Sequence, residues 1–289
     1  MRDAAPPPAS RPRRRPSAAR IPACFRTLPI VRRWGGRALL AAALAASAVA
    51  GSALPAAAAS RLTGDLPRRA DLGFTTGGNE GELEVRRVEE GSAAAAAGLR
   101  AGDTVVAVMG QAFAKPYVGQ DRLRRLDGGA PVVLEVERDG RRHEVAFTPP
   151  PLPLETFAGL EAEYGDVTTP DGAWLRTILT RPGGASGPLP AIFLAQWVSC
   201  DTVEVNAGGG AWSDVIRGVA ERSGMVLLRV ERASGGDSEG PGCHELDYDT
   251  EVAHYRHVLD QLSRHPWVDA GRLVLWGSSL GGTVAPLLA

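Results

Sequence analysis

Three short runs in the second half of the chain are apolar almost without interruption: "PAIFLA" (190–195), "MVLLRV" (225–230) and "RLVLWG" (272–277). None alternates and each is short, so each predicts a strand covered on both faces. The segments between them carry the helical period instead. "AWSDVIRGVAERSG" sets Trp212, Val215, Ile216 and Val219 on one face and stops at Gly224. "TEVAHYRHVLDQLSR" does the same with Val252, Tyr255, Val258, Leu259 and Leu262. Ahead of both, "YGDVTTPDGAWLRTILTRP" predicts two strands joined by a turn at Pro170-Asp171-Gly172. Buried strands alternating with amphipathic helices predict a doubly wound, mostly parallel sheet.

The first half is patterned differently. From Asp71 to Thr148, the strand-like runs "ELEVRRV", "DTVVAVMG", "PVVLEVERDG" and "RHEVAFTP" are punctuated by glycine. Between the first two, "EEGSAAAAAGLRAGD" predicts a short helix ending at Gly98 and a turn at Gly102-Asp103; "VGQDRLRRLDGG" predicts a second helix. This is a small, mostly β domain. "PPPLPLETF" (149–157) is proline-rich and extended, which predicts a spacer. The organisation is therefore 1–59 signal peptide, 60–70 linker, 71–149 first domain, 150–160 Pro-rich linker and 161–289 second domain.

Charge sharpens the reading of the N-terminus. Residues 1–59 hold ten Arg against Asp3, while the whole chain is −1, so the remainder carries about −10. An acidic mature chain argues against nucleic-acid binding, which depends on neutralising phosphates. Arg-rich sequence, then "ALLAAALAASAVAGSALPAAAAS", then an A-x-A pattern at Ala57–Ala59 is the layout of a secretory signal. Arg32-Arg33 before Trp34 fits twin-arginine export. Gly51 and Pro55 interrupt the apolar run, which favours cleavage near Ser60 over an uncleaved anchor. The expectation is a soluble exported protein, periplasmic or extracellular, with no stable membrane span after cleavage. Cys24 leaves with the signal, and Cys200 and Cys243 remain as a pair in an oxidising compartment. Their separation, with no clustered His, does not suit a metal.

The strongest chemical signal is Gly277-Ser278-Ser279-Leu280-Gly281, a G-x-S-x-G run directly after a buried strand. A central serine on a very tight strand–helix turn projects its hydroxyl above the sheet. Glycines on either side let strand and helix pass without Cβ collisions, and the new helix aims its first amides at the site. A glycine-rich turn with incidental serines is the bland alternative, which the preceding strands disfavour. Residues 164–289 resemble the α/β-hydrolase superfamily on this elbow, the loop "QWVSCDTVE" after the third strand, and the loop "RASGGDSEGPGC" (232–243). The resemblance implies Ser279 as nucleophile and the Leu280 amide as one oxyanion donor. The second would come from the loop after the third strand, where Gln196-Trp197 replaces the usual His-Gly; this points to Val198, with Trp197 as the alternative. Cys200 and Cys243 lie in loops leaving neighbouring strands, which favours a disulfide over two free thiols. The first domain resembles bacterial PDZ domains on "DLGF" (71–74), "GSAAAAAGLRAGDTVVAVMGQ" (91–111) and "VLEVERDGRRHEVAF" (133–147). That implies a peptide C-terminus held at Leu72-Gly73-Phe74, with a rigid spacer as the competing role. The fold class expected is multidomain: a small β-rich PDZ-like domain plus a truncated α/β-hydrolase.

In that family an acid and then a His follow the nucleophile, whereas His143, His244, His254, His257 and His265 all precede Ser279. The chain therefore reads as an N-terminal fragment of a longer enzyme, inactive alone and with its second domain poorly folded. The function expected of the complete protein is a serine hydrolase acting on a small carboxylic ester or related acyl substrate. An exported serine peptidase and a non-catalytic peptide-binding scaffold are the competing readings. No cofactor or metal is expected, since "GGDSEG" lacks both the P-loop lysine and the dinucleotide glycine spacing.

Overall fold

The computed structural model describes residues 60–78, 82–205 and 210–289; the signal read in residues 1–59, with Cys24, lies outside them. No helix among the described residues is long and apolar enough to cross a membrane.

The chain enters as β1 (Ser60–Leu62) and then builds the small domain. Its elements are β2 (Phe74–Gly77), β3 (Leu83–Val88), α1 (Ala93–Ala96), β4 (Thr104–Val108), β5 (Gln111–Ala112), α2 (Pro116–Arg124), β6 (Val132–Arg138) and β7 (Arg141–Phe147). The sheet runs β2-β3-β4-β6-β7, antiparallel throughout, with β5 paired to β4. Alternation decides which side chains turn inward: Leu83, Val85, Val105, Leu134, Val136 and Val145 form the core. Ser92 caps α1, its Oγ accepting the Ala95 N–H at 3.1 Å. Gly98 ends that helix at φ 88°, where an L side chain would be strained. Asp103 then accepts the Arg100 N–H (2.8 Å) and pairs with Arg138 (2.6 Å). Burial alone would raise the Asp103 carboxyl; the Arg138 hydrogen bond and the Arg100 amide hold it below its ordinary range.

The second domain comprises β8 (Leu160–Thr168), β9 (Trp174–Pro182), β10 (Leu189–Ala195), α3 (Gly210–Arg222), β11 (Val226–Val230), α4 (Tyr248–Leu262), β12 (Val268–Gly277) and α5 (Leu280–Leu288). Its sheet order is β1-β8-β9-β11-β10-β12. β10 pairs in parallel with both β11 and β12, and β1 with β8; β8–β9 and β9–β11 are antiparallel. The sheet is thus mixed, its parallel core being the three apolar runs; β12, expected to be covered on both faces, ends the described sheet with Val274 exposed. α4 covers one face through Val252, Tyr255, Val258 and Leu262. α3 covers the other through Ile216, Val219 and Ala220. Trp212 and Val215, expected on the buried face of α3, are exposed.

Both expected spacers are packed structure. Residues 60–62 add β1 to the second sheet, so the small domain is inserted between two neighbouring strands of it. Arg68 and Arg69 are then buried: Arg68 pairs with Glu204 (2.5 Å) and with Asp237, and Arg69 pairs with Asp127 (2.5 Å). The return segment is anchored too. Pro150 O accepts the Asp71 N–H at 2.8 Å, and the Leu152 N–H donates to Arg69 O at 2.8 Å. Glu155 is fully buried against Arg229, and Phe157 joins an apolar cluster with Leu194 and Ile216. Proline removes N–H donors but leaves extended carbonyls free to accept, so a Pro-rich strip can be fastened by neighbours.

Candidate functional site

β12 ends at Gly277, and the chain turns into α5 over Ser278 and Ser279. Ser279 has φ 52° and ψ −117° and is exposed, while Ser278 is buried. A serine at positive φ is strained backbone that the surroundings must hold. They do so through close approach. A Cβ on Gly277 would collide with the Gly281 carbonyl and Gly282 Cα; one on Gly281 would collide with the Ala195 and Gln196 carbonyl oxygens. The Ser278 N–H donates to Ala195 O at 3.1 Å, fixing the elbow to the end of β10. Leu280 opens α5, so its N–H has no carbonyl one turn back within the helix.

The loop leaving β10 faces this turn. A cleft of about 410 Å³ is lined by Val198, Ser199, Cys200, Arg232, His244 and Leu280, among others. Val198 is 65% exposed, at the mouth. Trp197 turns its indole the other way, stacking on Trp212 with centroids 5.4 Å apart. Of the two alternatives, Val198 is thus the residue lining the cleft with Leu280.

Residues that the sequence did not assign to the site, together with the expected disulfide, hold this loop. The Gln196 N–H donates to Tyr255 Oη (3.3 Å), and Ser199 O accepts from Arg232 (3.0 Å). Arg232 is itself clamped by Glu251 at 2.7 and 2.9 Å. Cys200 and Cys243 are joined, with Cα atoms 5.6 Å apart, so the two loops meet beside the cleft. Glu251 was findable: it stands in the stripe of α4 that Tyr255 and Val258 continue, where an acid needs a partner.

Just behind the loop, the Thr202 hydroxyl donates to Glu231, whose other oxygen accepts the Asp237 N–H (2.5 Å). Burial pushes the Glu231 carboxyl up to about 8, the Glu204 and Asp237 charges adding to it; the bonds from Thr202 and Asp237 pull the other way. The folded value lies above the ordinary 4.5, so this contribution to stability is complete below pH 4.5 and is lost as pH rises towards 8. Urea midpoints at pH 5, 7 and 8.5 should therefore fall more steeply for the native chain than for Glu231→Gln. Parallel slopes would contradict the assignment.

Four of the five histidines are placed away from the cleft, and His244 is on its rim. His254 Nε2 lies 2.9 Å from Asp171, and His265 Nε2 lies 3.3 Å from Glu163. His244 sits on the rim against Cys200 Sγ (3.7 Å) and edge-on to Tyr117 of α2. His143 is in β7 and His257 in α4.

A second cavity, of about 430 Å³, lies between β2 and α2. Leu72, Gly73 and Phe74 all line it, with Leu123 and Arg124 opposite. Gly73 has φ 66°, and a Cβ there would strike Ser92. Its amide is already used: the Gly73 N–H donates to Asp71 at 3.3 Å.

Residues 84–138 match the family model described as PDZ domain. The polyketide transferase ATR5 of Stachybotrys chlorohalonatus is 31% identical over 129 residues, 45% of this chain and 40% of that protein. Among solved structures, the α/β hydrolase GrgF from Penicillium sp. sh18 is 22% identical, covering 44% of this chain and 40% of its own, with a TM-score of 0.36. A bacterial brefeldin A esterase is 18% identical, covering 47% and 37%, with a TM-score of 0.35. The chain thus spans about two fifths of these relatives. Two architectures meet in it, a PDZ-like antiparallel domain and a mixed sheet with a parallel core.

Proposed function

We propose that the chain belongs to an exported serine hydrolase acting on carboxylic esters or related acyl compounds. The observation that carries this is Ser279 held at positive φ between strand β12 and helix α5, with backbone packed against both flanking glycines. In this reading Ser279 Oγ adds to the substrate carbonyl carbon and gives its proton to a general base. The tetrahedral oxyanion takes the Leu280 and Val198 N–H groups, the alcohol leaves with a proton, and water cleaves the acyl-enzyme. No histidine hydrogen-bonds to Ser279 Oγ among the described residues, and the reading needs such a base. The Cys200–Cys243 pair suits an oxidising compartment and stiffens the oxyanion loop. The name of the fungal relative, a polyketide transferase, is in keeping with acyl chemistry at such a serine.

The small domain is read as a peptide-binding module. β2 is an edge strand, and among the described residues it pairs only with β3, leaving its other side to the groove.

The test is fluorophosphonate labelling of the protein made from its complete coding sequence. Labelling is expected, and Ser279→Ala should abolish it. A folded protein that never labels would instead be a peptide-binding scaffold. Ester and peptide panels then separate an esterase from a peptidase.

A further inference from the structure

The two cavities share a wall. Cys200 lines both: Val198 and Ser199 continue it into the cleft beside Leu280, and Asp201 and Thr202 continue it into the groove. The wall stands at the Leu72–Phe74 end of β2, where Arg69 bonds to Gly236 O at 3.2 Å. An extended strand added along β2 must therefore finish there.

The donors a chain end would seek are present and carry carboxylates of the protein itself. Asp71 accepts the Gly73 N–H, and Asp201 pairs with Arg124 of α2 at 3.1 Å. The Arg124 and Asp201 side chains are 47% and 65% exposed, so the pair is weakly held and exchangeable. Asp201 also accepts from Ser199 Oγ (3.0 Å) and donates its N–H back to it (2.9 Å). Ser199 is the residue whose carbonyl Arg232 fixes behind the oxyanion loop.

We propose that the C-terminal carboxylate of a peptide held in this groove takes Arg124 from Asp201, and that the exchange is transmitted to loop 197–202 at the cleft beside Leu280. This rests on the peptide-binding reading of the small domain. It makes the Arg124–Asp201 pair the point where groove occupancy reaches the oxyanion loop. A ligand alters that loop only through a differential contact, and the exchanged ion pair is that contact.

The probe is a pool of decapeptides randomised at the last four positions, immobilised through the N-terminus, as free acids and as C-terminal amides. The full-length protein should retain free acids at least tenfold better than amides. Arg124→Ala should lose that preference, and Asp201→Asn, which removes the competing carboxylate, should bind severalfold tighter. Both positions are exposed, and circular dichroism checks that the variants fold. Hydrogen exchange across 197–202 should change when a retained peptide is added in solution. Peptides that bind while 197–202 stays unchanged would overturn the coupling and leave the groove reading standing. Amides that bind as well as acids would overturn the carboxylate exchange. No retention of any peptide would overturn the groove reading itself, and the coupling with it.

Discussion

Glu155→Ala is expected to remove about 3–5 kcal/mol of stability, the cost of leaving a buried cation without its partner. Glu155 and Arg229 are both completely buried and pair with each other. The carboxylate also accepts the Val205 N–H at 2.8 Å, and Arg229 donates to Val203 O at 3.1 Å. Removing the carboxylate leaves the guanidinium that carbonyl and little else, and orphans the Val205 N–H. Urea unfolding should show the loss as a lower midpoint. The double change Glu155→Leu with Arg229→Met should recover much of it, since two apolar chains avoid desolvating two charges. A single-variant cost below about 1 kcal/mol, the range of exposed pairs, would mean that the pair is not a buried tie. The result bears on architecture, because this pair fastens the returning Pro-rich segment to β11.

That fastening explains what the sequence concealed. β10 and β11 were legible because burial on both faces leaves a nearly unbroken apolar run; β12 carries the same apolar pattern but ends the described sheet, with Val274 exposed. α4 was legible because one stripe of it faces the core. β1 was not: "SRL" has no pattern of its own, and its partner β8 lies about 100 residues on. β2, "FTTG", likewise gains its strand conformation from pairing with β3. Residues 150–160 read as a spacer because of their prolines, and nothing in 60–70 signalled packing, since Arg and Glu are exposed by default. Here Arg68, Arg69 and Glu155 are buried with partners distant in sequence, which single-chain reading cannot match up. α3 erred in rotation. Its Trp212 satisfied the helical period but stacks outside on Trp197. At the site, Ser279 and its glycines were readable because the turn restricts residue type locally. Arg232 and Tyr255, which hold the opposing loop, act through contacts only the fold creates.

The glycine restriction gives the sharper test of the elbow, Gly281→Ala compared with Gly282→Ala. The two positions are adjacent in the first turn of α5, so helix propensity favours alanine at both, by up to about 1 kcal/mol. Their surroundings differ. At Gly281 the new methyl would meet the carbonyls of Ala195 and Gln196, which are backbone and have no rotamer to yield. At Gly282 the nearest heavy atom is Gly277 O at 3.9 Å, an ordinary contact. Gly281→Ala must therefore push α5 away from the end of β10, moving the Leu280 amide relative to Val198. In the proposed reading that amide is an oxyanion donor, and losing one such donor lowers rates by about 10²–10³, so fluorophosphonate labelling of the full-length protein should slow by about 10² or more. Overpacking should also cost about 1–3 kcal/mol in unfolding. Gly282→Ala should label at the native rate with unchanged or slightly raised stability. Equal labelling by the two variants would show that close approach at Gly281 does not set the reactive geometry.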